Sequence, residues 1–338
     1  MKAAILEKID APLAVKEVEL TELKFGQVLV KILVSGLCGA QLHEIRGHKG
    51  NAKFLPHLMG HEGCGIVEEV GLGVTTVKPG DKVVMHWRPG SGVEAPFPNY
   101  ILDGKTISSG KVTTLSEYSI VSENRITKID SETPSVLAAM LGCSLTTALG
   151  IIDNECDLKF GESVAVVGCG GVGLNLLQAA SMKSATPIFG VDINPSMRDL
   201  SVRMGAEGFT DDLSSIPMQV DVIIDTTGNP GVIAKAYKKL APSGRLILVG
   251  QPAPGKTVEI PNAVSMFDGA GKSIRATQGG RTDPQTDIPR YIGLAKKEVL
   301  DWKTLHTDTF SLDEVNDAFD LLKSGNAGRI MIQIGEEV

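Results

Sequence analysis

Short runs in which apolar and polar residues alternate dominate the first third of the chain. Residues 28–34 read Val-Leu-Val-Lys-Ile-Leu-Val, and similar runs over 64–71 and 80–85 are bounded by glycines. Runs of this kind, without helical periodicity, predict β-strands and a barrel-like or sandwich-like N-terminal half. The stretch 86–110 is rich in Gly, Pro and Ser and predicts a long excursion with little regular structure, after which 116–129 returns to strand-like alternation.

A different pattern begins near residue 135. Apolar residues recur at helical spacing over 136–152, and beyond residue 163 short apolar runs alternate with amphipathic stretches such as 197–204. This alternation predicts an α/β fold with a parallel, doubly wound sheet. Near the C-terminus, 312–325 has the pattern of an amphipathic helix stopped by a glycine, and 329–334 predicts a final strand that rejoins the N-terminal sheet.

A glycine-rich turn links a strand-like run to a helix-like stretch in the middle of the chain. Its glycines follow the pattern G-x-G-x-x-G. In a strand-turn-helix unit they permit a tight turn, a close approach of the backbone to a diphosphate, and close packing of the helix against the strand. The N–H groups at the helix N-terminus also favour a bound phosphate. We therefore predict a dinucleotide-binding site at Gly168, Gly170, Gly171, Val172 and Gly173.

The next strand-like run ends at an acidic residue, Asp192, nineteen residues beyond Gly173. A carboxylate at this position accepts hydrogen bonds from both ribose hydroxyls of an adenosine and repels a 2′-phosphate. The sequence therefore predicts NAD rather than NADP as the cofactor, although Arg198 and Arg203 lie close enough in sequence to weaken that preference.

The overall composition restricts the possible partners. The 338 residues carry a net charge of −7 and contain no long Lys/Arg run, which argues against nucleic acid or an anionic membrane surface as a partner. The sequence has neither a membrane-spanning apolar stretch nor a signal-peptide pattern at its N-terminus, so a cytoplasmic location is expected. An odd number of cysteines at irregular spacing indicates metal ligation or burial rather than disulfides; they are Cys38, Cys64, Cys143, Cys156 and Cys169.

Residues suited to a metal ion occur at three places in the first half of the chain. Cys38 follows a strand-like run, His61 and Glu62 lie in a Gly-His-Glu triplet, and Cys143 lies in Leu-Gly-Cys-Ser-Leu-Thr-Thr. Two thiolates and one imidazole can hold a catalytic zinc ion and leave its fourth position open. Taken singly, each residue could also have no role in metal binding, because buried cysteines often serve only in packing and such triplets often lie in surface loops.

The order of these motifs resembles the zinc-dependent medium-chain alcohol dehydrogenase family over essentially the whole chain. The resemblance is strongest from Leu141 to Asn194. It rests on Cys38, the Gly-His-Glu triplet, the glycine-rich segment 71–81, Gly-Cys143-Ser-Leu-Thr-Thr, the glycine pattern at 168–173, Val-Asp192-Ile-Asn and Arg329.

The resemblance implies two domains with the active site in the cleft between them. A GroES-like β-barrel catalytic domain would comprise 1–147 and 286–338, and a Rossmann NAD-binding domain would comprise 148–285. The implied zinc ligands are Cys38, His61 and Cys143, and Glu62 would lie just behind the metal and approach it during ligand exchange. Thr147, or its neighbour Thr146, would touch the nicotinamide, and Arg329 would reach the cofactor diphosphate.

The chain departs from the family at the proton relay. Ala40 occupies the position where relatives often carry a Ser or Thr whose hydroxyl takes the substrate proton. His43 matches a relay histidine and could still act through a bridging water or ribose, or it could be purely structural. Gln41 replaces an Asp that orients the histidine ligand, and its amide oxygen could accept the same imidazole N–H.

A second departure concerns a structural zinc site. Many relatives hold that ion with four closely spaced cysteines, but no cysteine lies between Cys64 and Cys143, so we expect one catalytic and no structural zinc. The stretch 88–110 replaces that lobe. The resemblance also assigns Ala40, Trp87 and Leu115 to the substrate pocket, although Trp87 could equally be local core.

The sequence thus predicts a zinc-dependent oxidoreductase that transfers hydride between NAD and a small-molecule alcohol or its carbonyl. Two alternatives stay open: a metal-free, NADPH-dependent quinone or enoyl reductase, and a catalytically silent NAD-binding relative, which Ala40 favours. The resemblance further implies a homodimer or homotetramer joined through the edge of the Rossmann sheet near 258–276.

Overall fold

The computed structural model describes residues 1–260 and 262–336. Its secondary structure is mainly strands before residue 130, and strands alternate with helices beyond residue 163. In chain order the strands are β1 (Lys2–Leu6), β2 (Ala14–Glu17), β3 (Glu19–Leu20), β4 (Gln27–Gly36), β5 (His57–Leu58), β6 (Glu62–Val70), β7 (Lys82–His86), β8 (Asn99–Leu102), β9 (Lys105–Ser108), β10 (Tyr118–Ser122), β11 (Ile126–Lys128), β12 (Val164–Val167), β13 (Ile188–Val191), β14 (Gly208–Thr210), β15 (Val220–Asp225), β16 (Leu240–Leu248), β17 (Ser273–Ala276), β18 (His306–Ser311) and β19 (Arg329–Gln333). The α-helices are α1 (Gly39–Ile45), α2 (Ser135–Met140), α3 (Ser144–Gly150), α4 (Gly171–Met182), α5 (Arg198–Arg203), α6 (Pro230–Lys239), α7 (Met266–Gly269), α8 (Pro284–Lys296) and α9 (Val315–Ser324). Within the described residues, no helix combines the length and apolar character that crossing a bilayer requires.

The chain divides into two units. Unit 1 consists of Met1–Thr146, Asp283–Lys296 and the chain from His306 onward, and unit 2 consists of Thr147–Thr282 and Lys297–Leu305. Unit 1 contains the mixed β structure that the alternating pattern predicted, and unit 2 contains the predicted alternation of strands and helices.

Strand β4 is the centre of unit 1. It pairs with β6 along one edge, and with β10 and then β19 along the other. The described strands of this sheet follow the order β11-β7-β6-β4-β19-β18, and those of a second sheet follow β2-β1-β5-β9-β8-β3. Every second residue points to the same face of a strand, so Val30 and Ile32 of β4 meet Val83 and Met85 of β7 in one buried cluster. The C-terminal strand β19 therefore rejoins the N-terminal sheet, as predicted.

The stretch 86–110 is more regular than its composition suggested. Strands β8 and β9 form an antiparallel hairpin in which Leu102 pairs with Lys105. The two residues between them, Asp103 and Gly104, adopt φ angles of +50° and +73°. Asp-Gly is a preferred pair for such two-residue turns, so the expectation of little regular structure was wrong for this part of the stretch.

Unit 2 contains a six-stranded parallel sheet within the described residues. Its order is β14-β13-β12-β15-β16-β17. Counted from β12, this is the order 3-2-1-4-5-6 of a doubly wound dinucleotide-binding fold. From β12 the chain adds β13 and β14 on one side, and from β15 onward it adds strands on the other side. Ligands bind such folds at the carboxyl ends of the strands beside this switch point. The predicted α/β class with a doubly wound parallel sheet is confirmed.

Candidate functional site

Cys38 lies between the end of β4 and the start of α1. The backbone N–H of Leu37 donates to the carbonyl of Ile330 on β19 at 3.0 Å, which fixes the path of the chain as it leaves the sheet. Cys38 has extended backbone angles and occupies the N-cap of α1, and the Gln41 side-chain oxygen accepts the Cys38 N–H at 2.8 Å. The Cys38 thiol is thereby held at a fixed position at the sheet edge.

His61 and Cys143 are positioned by close backbone packing. Gly60 precedes His61 with a φ of +102°, and a Cβ there would lie 2.6 Å from the Thr114 nitrogen, so only glycine fits. Gly142 precedes Cys143, and its missing Cβ would lie 2.9 Å from the Glu62 Cα. His61 and Cys143 therefore each follow a glycine that allows close approach to a neighbouring segment of the chain.

Cys38, His61 and Cys143 form a cluster. Their sulfur and ring-nitrogen donor atoms all lie within 4.8 Å of one another. A tetrahedral zinc ion holds two sulfur ligands about 3.8 Å apart, so small shifts would bring these three atoms into coordination. The hydrogen bond from the Cys143 thiol lowers the pKa of Cys38 well below its usual value, and metals bind the thiolate form of cysteine. The three residues fit a zinc ion with one position left open.

Glu62 lies next to this cluster but outside the set of clustered donor atoms. Its side chain is fully buried, and it forms an ion pair with Arg329, which is 2% exposed. The other carboxylate oxygen accepts the Ser144 N–H at 3.3 Å. Burial raises the pKa of Glu62, and the nearby Arg329 charge opposes that rise. Glu62 thus connects the residue after Cys143 with the C-terminal strand.

A second close approach makes the Glu62–Arg329 pair possible. A Cβ at Gly36 would lie 2.9 Å from both the Glu62 carboxyl carbon and an Arg329 guanidinium nitrogen. Gly36 pairs with Met331 across β4 and β19. No local sequence pattern predicts this ion pair, because its two charges are 267 residues apart in the chain.

The helix α1 carries the residues of the predicted relay. His43 is half-buried, and its Nδ1 lies 3.4 Å from the Nδ1 of His48. Burial, together with His48, lowers the pKa of His43. Ala40 is partly exposed one residue into the helix. The sequence suggested that the Gln41 side-chain oxygen accepts an N–H of the histidine ligand. In the structure this oxygen accepts the Cys38 N–H instead.

The predicted pocket residues lie in different surroundings. Leu115 is 0% exposed and belongs to a core cluster with Leu37 and Met59, which leaves its side chain no surface to offer a substrate. Its assignment to the pocket is therefore corrected. Trp87 is partly exposed, whereas its neighbour His86 is buried with both ring nitrogens in hydrogen bonds, and burial lowers the pKa of His86 to about 4.

The glycine pattern of unit 2 forms the turn from β12 into α4. Gly168 has a φ of +89°, and a Cβ there would clash with the Thr226 hydroxyl. A Cβ at Gly173 would clash with the Gly168 carbonyl, so both positions require glycine. Apart from Gly170 itself and its flanking residues, no atom of the described part of the chain lies within 4 Å of the Cβ position at Gly170, the N-cap of α4. This open space at a helix N-terminus, with Gly171 and Val172 in the first turn, fits an approaching diphosphate.

Asp192 follows β13 and is fixed by two backbone donors. One carboxylate oxygen accepts the Cys169 N–H at 2.7 Å, and the other accepts the Asn194 N–H at 2.9 Å. Ile193, which was not among the predicted site residues, is 88% exposed beside it. An isoleucine directly after the acidic residue that ends the strand is the sequence signal that could have identified it. Arg198 lies over the ring of Phe209 at 5.2 Å.

Thr146 and Thr147 lie in α3, which continues from the Cys143 loop. Thr146 donates its hydroxyl to the Cys143 carbonyl at 3.0 Å. The carbonyl of Thr147 lies 2.6 Å from where a Cβ of Gly280 would be, and Gly280 has a φ of +67°. The Thr146 side chain therefore ties the start of α3 to Cys143, and the Thr147 backbone makes a tight contact within unit 2.

Two family models match the chain. The alcohol dehydrogenase GroES-like domain matches residues 24–131, and the zinc-binding dehydrogenase domain matches residues 171–297. The first match lies in unit 1 and includes His61 and Glu62. The second begins at the N-terminus of α4.

Individual relatives are similar over the whole length. An S-(hydroxymethyl)glutathione dehydrogenase of Photobacterium damsela subsp. piscicida is 30% identical over an alignment 375 positions long, which covers 98% of this chain and 99% of the relative. The crystal structure of benzyl alcohol dehydrogenase from Acinetobacter calcoaceticus aligns with a TM-score of 0.88 at 24% identity. An alcohol dehydrogenase zinc-binding domain protein from Burkholderia ambifaria aligns with a TM-score of 0.88 at 25% identity. Both structural alignments cover 99% of each chain.

Substitution of Glu62 by Gln tests the energetic role of the buried ion pair. The variant leaves the Arg329 guanidinium buried without its counter-charge, so we expect the free energy of unfolding to fall by about 3–5 kcal/mol. Denaturant unfolding followed by circular dichroism measures the change. The control Asp320→Asn removes an exposed pair with Lys323 and should change the free energy by less than about 1 kcal/mol. Equal effects of the two substitutions would contradict this role.

Proposed function

The chain belongs to the zinc-dependent medium-chain alcohol dehydrogenase family, and we propose that it interconverts an alcohol with its aldehyde or ketone, with NAD as hydride carrier and one catalytic zinc ion. Membership in this family agrees with the resemblance that the sequence indicated. The observation that carries the proposal is the convergence of Cys38, His61 and Cys143 donor atoms within 4.8 Å. Catalytic zinc sites use such a donor set with a fourth position open.

The proposed roles in unit 1 divide between ligands and a positioning residue. Cys38, His61 and Cys143 would hold the zinc ion, which supplies Lewis-acid polarisation of a substrate oxygen when bound. Glu62 follows one ligand in sequence, and its carboxylate accepts the N–H of the residue after another. Through these contacts Glu62 would keep the spacing of His61 and Cys143 constant. An approach of Glu62 to the metal stays a prediction from the sequence.

The proposed cofactor site lies at the carboxyl ends of the unit 2 strands. NAD would supply a hydride acceptor at its nicotinamide ring. Open space at Gly170 and the N–H groups of α4 support a bound diphosphate, and the fixed carboxylate of Asp192 would accept the ribose hydroxyls. Ile193 offers an exposed apolar surface for the adenine beside that ribose. Contacts of Thr147 and Arg329 with the cofactor stay predictions from the sequence.

The substrate proton needs an acceptor because Ala40 has no hydroxyl. We propose that His43 takes this role through a bridging water or ribose hydroxyl. The pKa of His43 lies below its usual value because of burial, so the imidazole is neutral near pH 7 and able to accept a proton.

A catalytically silent NAD-binding relative is the second candidate, and the absence of a hydroxyl at Ala40 favours it. Turnover of any alcohol distinguishes the two.

The substrates of the similar proteins define a panel for the first assay. It comprises S-(hydroxymethyl)glutathione, benzyl alcohol and short-chain alcohols, with the corresponding carbonyl compounds in the reverse direction. A rise in NADH absorbance with an alcohol and NAD, or a fall with a carbonyl compound and NADH, supports the proposed reaction, and absence of turnover over the whole panel favours the silent relative.

Zinc binding tests the ligand set. We expect one zinc ion per chain in the purified protein by elemental analysis, and loss of zinc and activity in Cys38→Ser and His61→Ala, because each removes one of three protein ligands. Cys64→Ser is the matched control, since Cys64 is another buried cysteine of unit 1 and lies outside the cluster. Full activity of a zinc-free preparation would refute the zinc mechanism and leave a metal-free reductase.

The ratio of NAD to NADP use tests Asp192. Replacement by Ala removes a carboxylate that would face the 2′-phosphate, and such like-charge juxtapositions cost several kcal/mol. We expect kcat/KM with NADP, relative to NAD, to rise by about tenfold or more. Asp199→Ala removes an exposed carboxylate in the neighbouring helix α5 and should leave the ratio unchanged. An unchanged ratio in Asp192→Ala would exclude Asp192 from cofactor selection.

We also propose self-association through the outer edge of the unit 2 sheet. Among the described residues β17 is the last strand of that sheet, and Val264, Met266 and Phe267, which precede it in the chain, are strongly exposed. Exposed apolar side chains concentrated beside an unpaired strand edge are typical of an interface. Light scattering should give the mass of a dimer or tetramer for the wild type and a lower mass for Phe267→Asp. Phe160→Asp, at another exposed position of unit 2, is the control that should retain the wild-type mass.

A further inference from the structure

The end of helix α1 holds two histidines together. The N–H of His48 donates to the carbonyl of His43 at 2.9 Å, and the N–H of Gly47 donates to the carbonyl of Glu44 at 2.9 Å. Gly47 has a φ of +69°. These two bonds and the left-handed glycine define a Schellman motif, which brings the side chains at its first and last positions into contact. In many helices that contact is hydrophobic, whereas here it joins two imidazoles.

The distance between the two imidazoles suits chelation. Their Nδ1 atoms lie 3.4 Å apart, and the ring centroids lie 5.6 Å apart. For an ion bound at about 2.05 Å from each nitrogen, the nitrogen–ion–nitrogen angle would be about 112°, which is close to the tetrahedral value. Because the backbone motif already fixes the approach of the two residues, little additional ordering is needed to bind an ion.

The surroundings leave both rings accessible. His48 is exposed and His43 is half-buried. Two cations face the pair, Arg46 and Lys49, and the Lys49 ammonium is itself 3.7 Å from the Glu44 carboxylate. Burial, followed by His48 and these two cations, lowers the pKa of His43, and the neutral ring is the form that metals bind. Imidazole pairs with open positions suit zinc, nickel and copper ions.

We propose that His43 and His48 form a second metal site, separate from the Cys38–His61–Cys143 cluster, which binds a divalent zinc ion through both Nδ1 atoms. Water would complete the coordination, since these two residues supply only two ligands.

Occupation of this site would inhibit the reaction, an effect that rests on the proposed function of His43. A neutral imidazole has one nitrogen that can accept a proton. When Nδ1 binds a metal ion, the other ring nitrogen carries the hydrogen, and no acceptor remains on the ring. Free zinc above the amount that fills the catalytic cluster would therefore inhibit the enzyme.

Calorimetric titration of the zinc-loaded protein with further zinc tests the binding. We expect one additional equivalent for the wild type and none for His48→Gln, whose amide is a poor zinc ligand. His306→Gln changes another histidine of unit 1, outside the pair, and should retain the additional equivalent. Absence of a second equivalent in the wild type, or its persistence in His48→Gln, would overturn the site.

Cobalt identifies which site is filled. In protein freed of zinc, the first equivalent of Co²⁺ should produce the strong thiolate charge-transfer absorbance of the cysteine cluster. A second equivalent should add only the weak bands of a site without sulfur ligands, and these should be lost in His48→Gln. Growth of the charge-transfer band through both equivalents would contradict a histidine-only site.

Kinetics separate the site from the proposed relay. Added zinc should inhibit the wild type and His306→Gln, whereas His48→Gln should lose the inhibition, with each rate compared with that of the same variant before zinc is added. Binding of the second ion without loss of rate would overturn the inhibitory effect and reject His43 as the proton acceptor, while the titration would still establish the site.

Discussion

The buried ion pair between Glu62 and Arg329 is the constraint on which the candidate metal site depends. Two charges can be buried only when they meet each other and find further hydrogen-bond partners. Gly36 and Gly142 have no side chain where one would collide with the pair or its backbone, and the Ser144 N–H satisfies the second carboxylate oxygen. The proposed ligands His61 and Cys143 are direct neighbours in sequence of residues in this contact. The pairing of the two charges therefore constrains the backbone beside two of the three proposed ligands.

Local patterns in the sequence were sufficient for much of the fold and part of the site. The parallel sheet of unit 2 follows from alternating apolar runs and helices, and the turn at Gly168 follows from the glycine spacing. Both depend on residues close together in the chain. The clustering of Cys38, His61 and Cys143 is a long-range property. It was inferred because the order of motifs resembles a known family, and spacing alone would have left each residue ambiguous.

Other contacts could not be predicted, because they arise from tertiary packing. Gln41 had two acceptable partners for its amide oxygen, and the turn into α1 brings the Cys38 N–H closer. Leu115 was assigned to a pocket by resemblance, but it is completely buried in a core cluster with Leu37 and Met59. The β8–β9 hairpin differs from these cases. Its Asp103-Gly104 turn is a local signal, which the high Gly, Pro and Ser content of the surrounding stretch obscured.

The position of Arg329 in the chain has a consequence for folding. The cation that neutralises Glu62 lies 267 residues further along the chain. It is carried by β19, which pairs with β4. The acid beside Cys38, His61 and Cys143 therefore stays without its counter-charge until β19 has joined the sheet. Docking of this one strand is the step at which the surroundings of the candidate ligands acquire their final charge balance.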